Sequence, residues 1–170
     1  MAPGNSAASN AANNAAKTPA NDHEIEERTL VLSRVFDAPR ALVFKVWTQP
    51  EHLARWWGPR GYTLISYKAD VRAGGTFRFG TRSPENTEHW AHGSYREVTP
   101  PERLVFTTAW ENPDGSPKHE TIVTLTFAEQ DGKTKLTLKQ TLFESVTSRD
   151  LHRGGWSTTL DMLDEYLATL

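Results

Sequence analysis

Residues 148–170 read SRDLHRGGWSTTLDMLDEYLATL, and the fold turns on what this stretch must cover. Trp156, Leu160, Leu163 and Leu167 recur at steps of four, three and four, so they share one face of a helix. Leu151, Met162 and Tyr166 widen that stripe, while Asp161, Asp164 and Glu165 fall largely opposite. An amphipathic helix of this length needs a surface to lie on. Nearly all the strand-forming sequence precedes it, so the surface is a sheet. Gly154 and Gly155 interrupt the pattern, and each glycine costs about 1 kcal/mol relative to alanine in a helix interior. The expectation is a close approach by another backbone or a ligand, which a missing side chain permits. The alternative is a break there, with the helix starting near Trp156.

Composition narrows the function classes. The 170 residues contain no cysteine, which removes disulfides, thiol nucleophiles and thiolate metal sites. The net charge of −2 and the sequence pI near 6.3 give no footprint for nucleic acid or an acidic membrane surface. No apolar run approaches the roughly 18 residues of a transmembrane helix. Six tryptophans are either large core fillers or the walls of an aromatic pocket.

Residues 1–22, MAPGNSAASNAANNAAKTPAND, hold no large apolar side chain after Met1. They cannot bury enough surface to offset ordering entropy, so a disordered tail is expected, with one folded domain over 23–170. A basic segment followed by a leucine-like core, as in a signal peptide, is not there, and a cytoplasmic location is expected. The first strand is expected over 28–36. Pro39 then opens a short helix carrying Val43, Val46 and Trp47, and Pro50 opens a second carrying Leu53, Trp56 and Trp57, stopped by Gly58-Pro59.

Alternation takes over in the middle. Ile65, Tyr67, Ala69 and Val71 form one face of a strand, and Gly74-Gly75 predicts a tight hairpin leading to Phe77 and Phe79. Strands follow over about 89–98 and 104–111, the second ended by Asn112-Pro113-Asp114-Gly115. Val123, Leu125 and Phe127 mark another strand. Asp131-Gly132 turns into the last, where Leu136, Leu138 and Leu142 alternate with polar residues. The reading is an α+β domain: about seven antiparallel strands curving round a long C-terminal helix, with two short helices after the first strand. A helix across a concave sheet encloses a space, and function is expected there.

The runs APRALVFKVWTQPEHLARWWGP (38–59), DVRAGGTFRF (70–79), GSYREVTPPERLVFTTAW (93–110) and GGWSTTLDMLDEYL (154–167) carry a resemblance. Together they resemble the helix-grip (START-like, SRPBCC) superfamily, and within it the bacterial branch related to the heat-shock-protein-90 ATPase activator. The resemblance implies the helix-grip fold. It leaves function open, because that fold hosts carriers, cyclases, hydrolases and co-chaperone domains.

Candidate chemistry is sparse. His92 shares a strand face with Trp90 and Ser94. On a concave face it would orient a ligand carbonyl or act as acid or base; on the outer face a neighbour would satisfy it. Gln140 follows Leu136 and Leu138 by alternation and should point inward, where its amide needs partners. Asp70 and Arg72 suit a surface ion pair with a neighbouring strand. The six histidines are scattered, with no helical metal spacing, and His89 and His92 point to opposite faces. There is no phosphate-binding glycine loop, and GWSTTL lacks the spacing of a nucleophile elbow. No metal and no cofactor are expected.

The leading expectation is a binding protein for a small apolar or amphipathic ligand, lipid-like or polyketide-like, without a catalytic set. Its cavity is expected to be walled by Trp47, Trp56, Phe77, Phe79, Trp90, His92, Trp110, Gln140, Trp156 and Leu160. Two alternatives stay open: a cyclase- or hydrolase-type enzyme using His92 with a bound water, and a co-chaperone-like interaction module with a chaperone partner.

Overall fold

A computed structural model describes residues 21–170. The tail expected over 1–22 therefore lies almost wholly outside the described residues. Its last two positions, Asn21 and Asp22, stand at the start of a short helix. Asn21 caps a short helix α1 (Asp22–Glu27), accepting from the Glu24 backbone N–H at 2.8 Å. The Glu24 carboxylate returns a bond to the Asn21 N–H at 3.1 Å, so Asn21 and Glu24 close a capping box.

Seven strands follow in antiparallel pairing: β1 (Leu30–Phe36), β2 (Thr63–Ala69), β3 (Thr76–Arg82), β4 (Glu88–Thr99), β5 (Arg103–Trp110), β6 (Thr121–Gln130) and β7 (Lys133–Thr141). Their order across the sheet is β1-β7-β6-β5-β4-β3-β2. Sequential hairpins run from β2 to β7, and β1 closes against β7. The connection from β1 to β2 must therefore cross from one sheet edge to the other. Helices α2 (Arg40–Thr48) and α3 (Pro50–Trp56) occupy that crossing. Pro50 sits in the first turn of α3 as expected, whereas Pro39 caps α2 from just outside it.

Turn chemistry places the hairpins well in one case and less well in another. Asp131 and Gly132 both adopt positive φ between β6 and β7, the two-residue turn their sequence favours. The β2–β3 connection is longer than the tight hairpin expected of Gly74-Gly75. It spans residues 70–75, and only Gly74 has positive φ. At Gly75 a Cβ would lie 1.9 Å from the Asp70 carbonyl oxygen, so glycine is required there by closeness. Asp70 and Arg72 pair with each other across this loop at 2.7 Å, not with a neighbouring strand. In β2 a register shift between Leu64 and Ser66 breaks the expected alternation. Leu64, Tyr67, Ala69 and Val71 reach the core, and Ile65 does not.

Helix α4 (Val146–Leu167) runs unbroken through both glycines, capped by the Ser145 hydroxyl, which accepts from the Ser148 N–H at 3.0 Å. Thr159, Leu160, Leu163 and Leu167 are buried beneath it, and Trp156, Met162 and Tyr166 are half-buried beside them. Leu151, expected to widen the apolar stripe, is 73% exposed. The outer face is tied down at its rim: Asp161 meets Arg34 of β1 at 2.5 Å, Glu165 pairs with Arg60, and Tyr166 hydroxyl lies 2.7 Å from His52 Nδ1 of α3. The core beneath combines Leu30, Phe36, Leu125, Phe127, Leu136 and Leu138 from the sheet with Val43, Val46 and Leu53 from the short helices. No helix among the described residues is long and apolar enough to cross a membrane.

Candidate functional site

Strands β2 to β5, with Thr121 of β6 and Gln140 of β7, leave a cavity of about 470 Å³ under α4. Its wall is built from inward positions of consecutive strands. Phe77 and Phe79 of β3 point inward as their alternation predicts, and Phe79 pairs with Tyr67 of β2 and Ala91 of β4. Tyr95 and Phe106 pair across β4 and β5 and both line the space. Trp57 crosses Phe79 edge to face at 5.3 Å between ring centroids, and Trp156 of α4 crosses Trp57 at 5.7 Å. Trp47 packs against Trp156 at 6.0 Å and against Trp56 at 4.7 Å. The result is a continuous aromatic lining.

Polar groups in the wall are few and mostly paired. Gln140, 2% exposed, donates from Nε2 to Thr121 Oγ1 at 2.8 Å and accepts at Oε1 from Trp156 Nε1 at 2.7 Å. Thr121 donates onward to the Thr108 carbonyl at 3.3 Å. Tyr67 and Tyr95 hydroxyls lie 3.3 Å apart. Burial, with Tyr95 close by, pushes the Tyr67 phenol well above its ordinary value, and burial also raises Tyr95. Both are neutral at physiological pH.

Ionisable side chains gather at the exposed rim, where His89, Trp110, Lys118, His119, Glu144, Leu151 and His152 line the opening. Trp110 Nε1 donates to His152 Nε2 at 3.2 Å, linking β5 to α4. His152 Nδ1 lies 2.7 Å from the Ser148 carbonyl, which can only accept. Both ring nitrogens of His152 are thus in use, Nε2 facing a donor and Nδ1 an acceptor. Among the described residues no cluster of three metal-ligating side chains occurs.

Of the residues expected to wall the cavity, Trp47, Phe77, Phe79, Trp110, Gln140 and Trp156 do so. Trp56 and Leu160 do not. They are buried behind the wall, and Trp56 Nε1 donates to the Val46 carbonyl at 3.0 Å. Trp90 and His92 are on the other face of the sheet. Each pairs with an outward position of β3, Gly80 or Arg78, and the Arg78 guanidinium stacks 4.1 Å above the Trp90 ring. His92 Nδ1 meets Glu111 at 3.1 Å, and Arg78 grips the same carboxylate through bonds of 2.9 and 3.0 Å. The Arg78 hydrogen bonds, with His92 second among the partners, hold Glu111 below the usual carboxylate range. His92 is therefore a satisfied outer-face histidine, outside the cavity lining.

Of the glycine expectation, the close backbone is not found among the described residues. A Cβ added at Gly154 or Gly155 would meet nothing within 4 Å. Gly155 instead faces the void itself. The residues that sequence reasoning missed are Tyr67, Tyr95, Trp57, Thr121 and the rim histidines.

A family model described as Activator of Hsp90 ATPase homolog 1-like protein matches residues 37–168. Among solved structures, the chain is similar to the AHSA1 protein of Silicibacter pomeroyi, with 25% identity and a TM-score of 0.76, covering 83% of this chain and 98% of that one. A protein from Nitrosomonas europaea is 28% identical, with a TM-score of 0.72 over 84% of this chain and 96% of its own. A third, from Chromobacterium violaceum, is 25% identical with a TM-score of 0.72, covering 81% and 95%. No curated protein matches the chain.

Proposed function

We propose, for a chain that belongs to the Activator of Hsp90 ATPase homolog 1-like family, that it binds a small apolar or amphipathic molecule between the sheet and α4. Fold and family together support a ligand-binding or co-chaperone-like module in general. The cavity favours the first. Its volume of about 470 Å³ falls in the range of small-molecule sites, and its lining combines Trp47, Trp57, Phe77, Phe79, Phe106 and Trp156 with few polar groups. That aromatic void is the observation on which the reading rests. His92 stands outside it, so the binding reading is preferred to the one in which His92 acts with a bound water.

Four tryptophans, Trp47, Trp57, Trp110 and Trp156, line the cavity and report on its occupant. A ligand entering it should quench their fluorescence saturably, at roughly micromolar Kd, about 8 kcal/mol of binding. The test is a titration with a panel of aromatic and long-chain probes. Saturable quenching by at least one apolar probe, with matching displacement by a second, supports the reading. Linear, non-competing quenching by every probe sinks it and leaves the co-chaperone-like module as the better account.

A further inference from the structure

Besides Trp47 Nε1, which is covered and has no partner among the described residues, the cavity wall holds two further hydrogen-bond donors beyond those it uses. The Tyr67 and Tyr95 hydroxyls meet only each other among the described residues, 3.3 Å apart. Two hydroxyls carry two protons, and one is spent in the pair. The other has no protein acceptor. Both phenols stay protonated because burial opposes the phenolate.

The second spare donor is on Gln140. Trp156 Nε1 can only donate, so the Gln140 atom 2.7 Å away must be its carbonyl oxygen, which fixes the amide's orientation. One Nε2 hydrogen goes to Thr121 at 2.8 Å. The remaining amide hydrogen has no partner among the described residues.

Register brings these donors into one row. Gln140 pairs with Val123, Val123 with Phe106, and Phe106 with Tyr95. Gln140 and Tyr95 are thus three strands apart on the same inward line. At strand spacings near 4.8 Å their Cα atoms are at most about 14 Å apart, and sheet curvature turns the side chains toward each other. Among the described residues no cation lines this row. Lys118 and the histidines that border the cavity are at its rim, together with Glu144. A carboxylate placed in the row would find donors but no counter-charge.

We propose that the cavity selects a neutral, flat molecule with two acceptor oxygens, such as the carbonyls of an aromatic diketone, one bound by the spare tyrosine proton and one by the spare Gln140 amide hydrogen. This rests on the ligand-binding reading and names the class of ligand.

The test is calorimetric titration of the full chain with naphthalene, 2-acetylnaphthalene and 2,6-diacetylnaphthalene, which share a body and differ in acceptor count. Each acetyl group should tighten binding about fivefold, the worth of one net hydrogen bond. The tyrosine variants make a sharper pattern. Tyr67→Phe or Tyr95→Phe alone leaves one hydroxyl with one free proton, so the gain from the acetyl groups should survive. The double variant should lose about fivefold for the diacetyl compound and nothing for naphthalene. Gln140→Met should remove the other fivefold gain, and the double variant Gln140→Met with Trp156→Phe, which leaves no buried indole N–H without a partner, replaces it if Gln140→Met does not fold. If naphthalene binds but the acetyl groups add nothing, or if the double tyrosine variant keeps the full gain, the two-acceptor proposal is overturned while cavity binding stands. If none of the three binds saturably, the reading beneath it fails as well.

Discussion

Replacing Gly155 by alanine should stabilise the protein by about 0.5–1 kcal/mol, the ordinary difference between glycine and alanine inside a helix. The size follows from what the new methyl would touch. At Gly155 it meets nothing within 4 Å, and the backbone there is helical, so only the entropy of the unfolded chain changes. Gly154 has the same surroundings, and the double variant should gain about 1–2 kcal/mol if the effects add. Urea melts with an unchanged m-value measure this directly, and the thermal midpoint should rise by roughly 2–4 °C per kcal/mol. A loss of about 1–3 kcal/mol, the cost of overpacking, would refute the placement of Gly155 beside open space. A larger side chain separates space from packing. Gly155→Leu should grow into the cavity, keep or raise stability, and weaken an apolar probe by about tenfold or more, some 1.4 kcal/mol. Equal probe affinity for Gly155→Leu and the parent chain would mean that the ligand is bound elsewhere.

Three further outcomes follow from the same geometry. Trp156→Phe keeps a ring in the wall but strands the buried Gln140 oxygen, so urea melts should show a loss of about 1–3 kcal/mol. Glu111 has its pKa lowered in the folded state, so its contribution to stability is present above the ordinary carboxylate range and vanishes as pH falls through the depressed value. Glu111→Gln should accordingly be less stable than the parent at pH 7, with the gap narrowing as pH falls below the ordinary carboxylate range, by melts across that range. His92→Ala should leave probe affinity in the cavity unchanged within about twofold, the scatter of such a titration, because His92 faces Glu111 on the outer surface. A larger change would restore His92 to the site.

The architecture was legible because each of its signals is local. Proline starts, glycine and asparagine turns and the 3.6-residue stripe in α4 depend on neighbours in the chain, and they locate ten of the eleven elements. Only α1 escaped, since its capping box lies at the edge of a segment that looks uniformly polar. Facing is harder, because a strand of alternating character has two sides and parity alone does not choose between them. On β4, Trp90 and His92 look like site residues, yet the inward set is Ala91, Gly93 and Tyr95. The deciding signal was size. Phe77 and Phe79 face inward, and the residues opposite them across the hairpin, Gly93 and Ala91, are small. Large rings on one strand demand room on the next, and at Gly93 a Cβ would lie 2.7 Å from the Phe77 ring. The tyrosine pair was hidden for a different reason. Tyr67 and Tyr95 are 28 residues apart, and the register shift in β2 obscures which of its side chains point inward.

The same wall explains how an open cavity persists in so small a domain. At about 24 cal/mol per Å³, a sealed void of 470 Å³ would cost on the order of 10 kcal/mol, comparable to the whole stability of a typical domain. Such a void is tolerable only where solvent or a ligand can enter, and the exposed rim at Trp110, His119 and Leu151 provides that entrance. Collapse, the other escape, is opposed by how the rings are held. Trp56 is bonded to Val46, Trp156 to Gln140 and Trp110 to His152, and the neighbouring rings meet edge to face. Turning any of these side chains into the space would strand a polar atom or break an aromatic contact. The side chains that could fill the cavity are thus the ones fixed around it, and Gly155 contributes none. An apolar ligand that displaces water from these surfaces gains the contacts that the protein's own side chains are prevented from making.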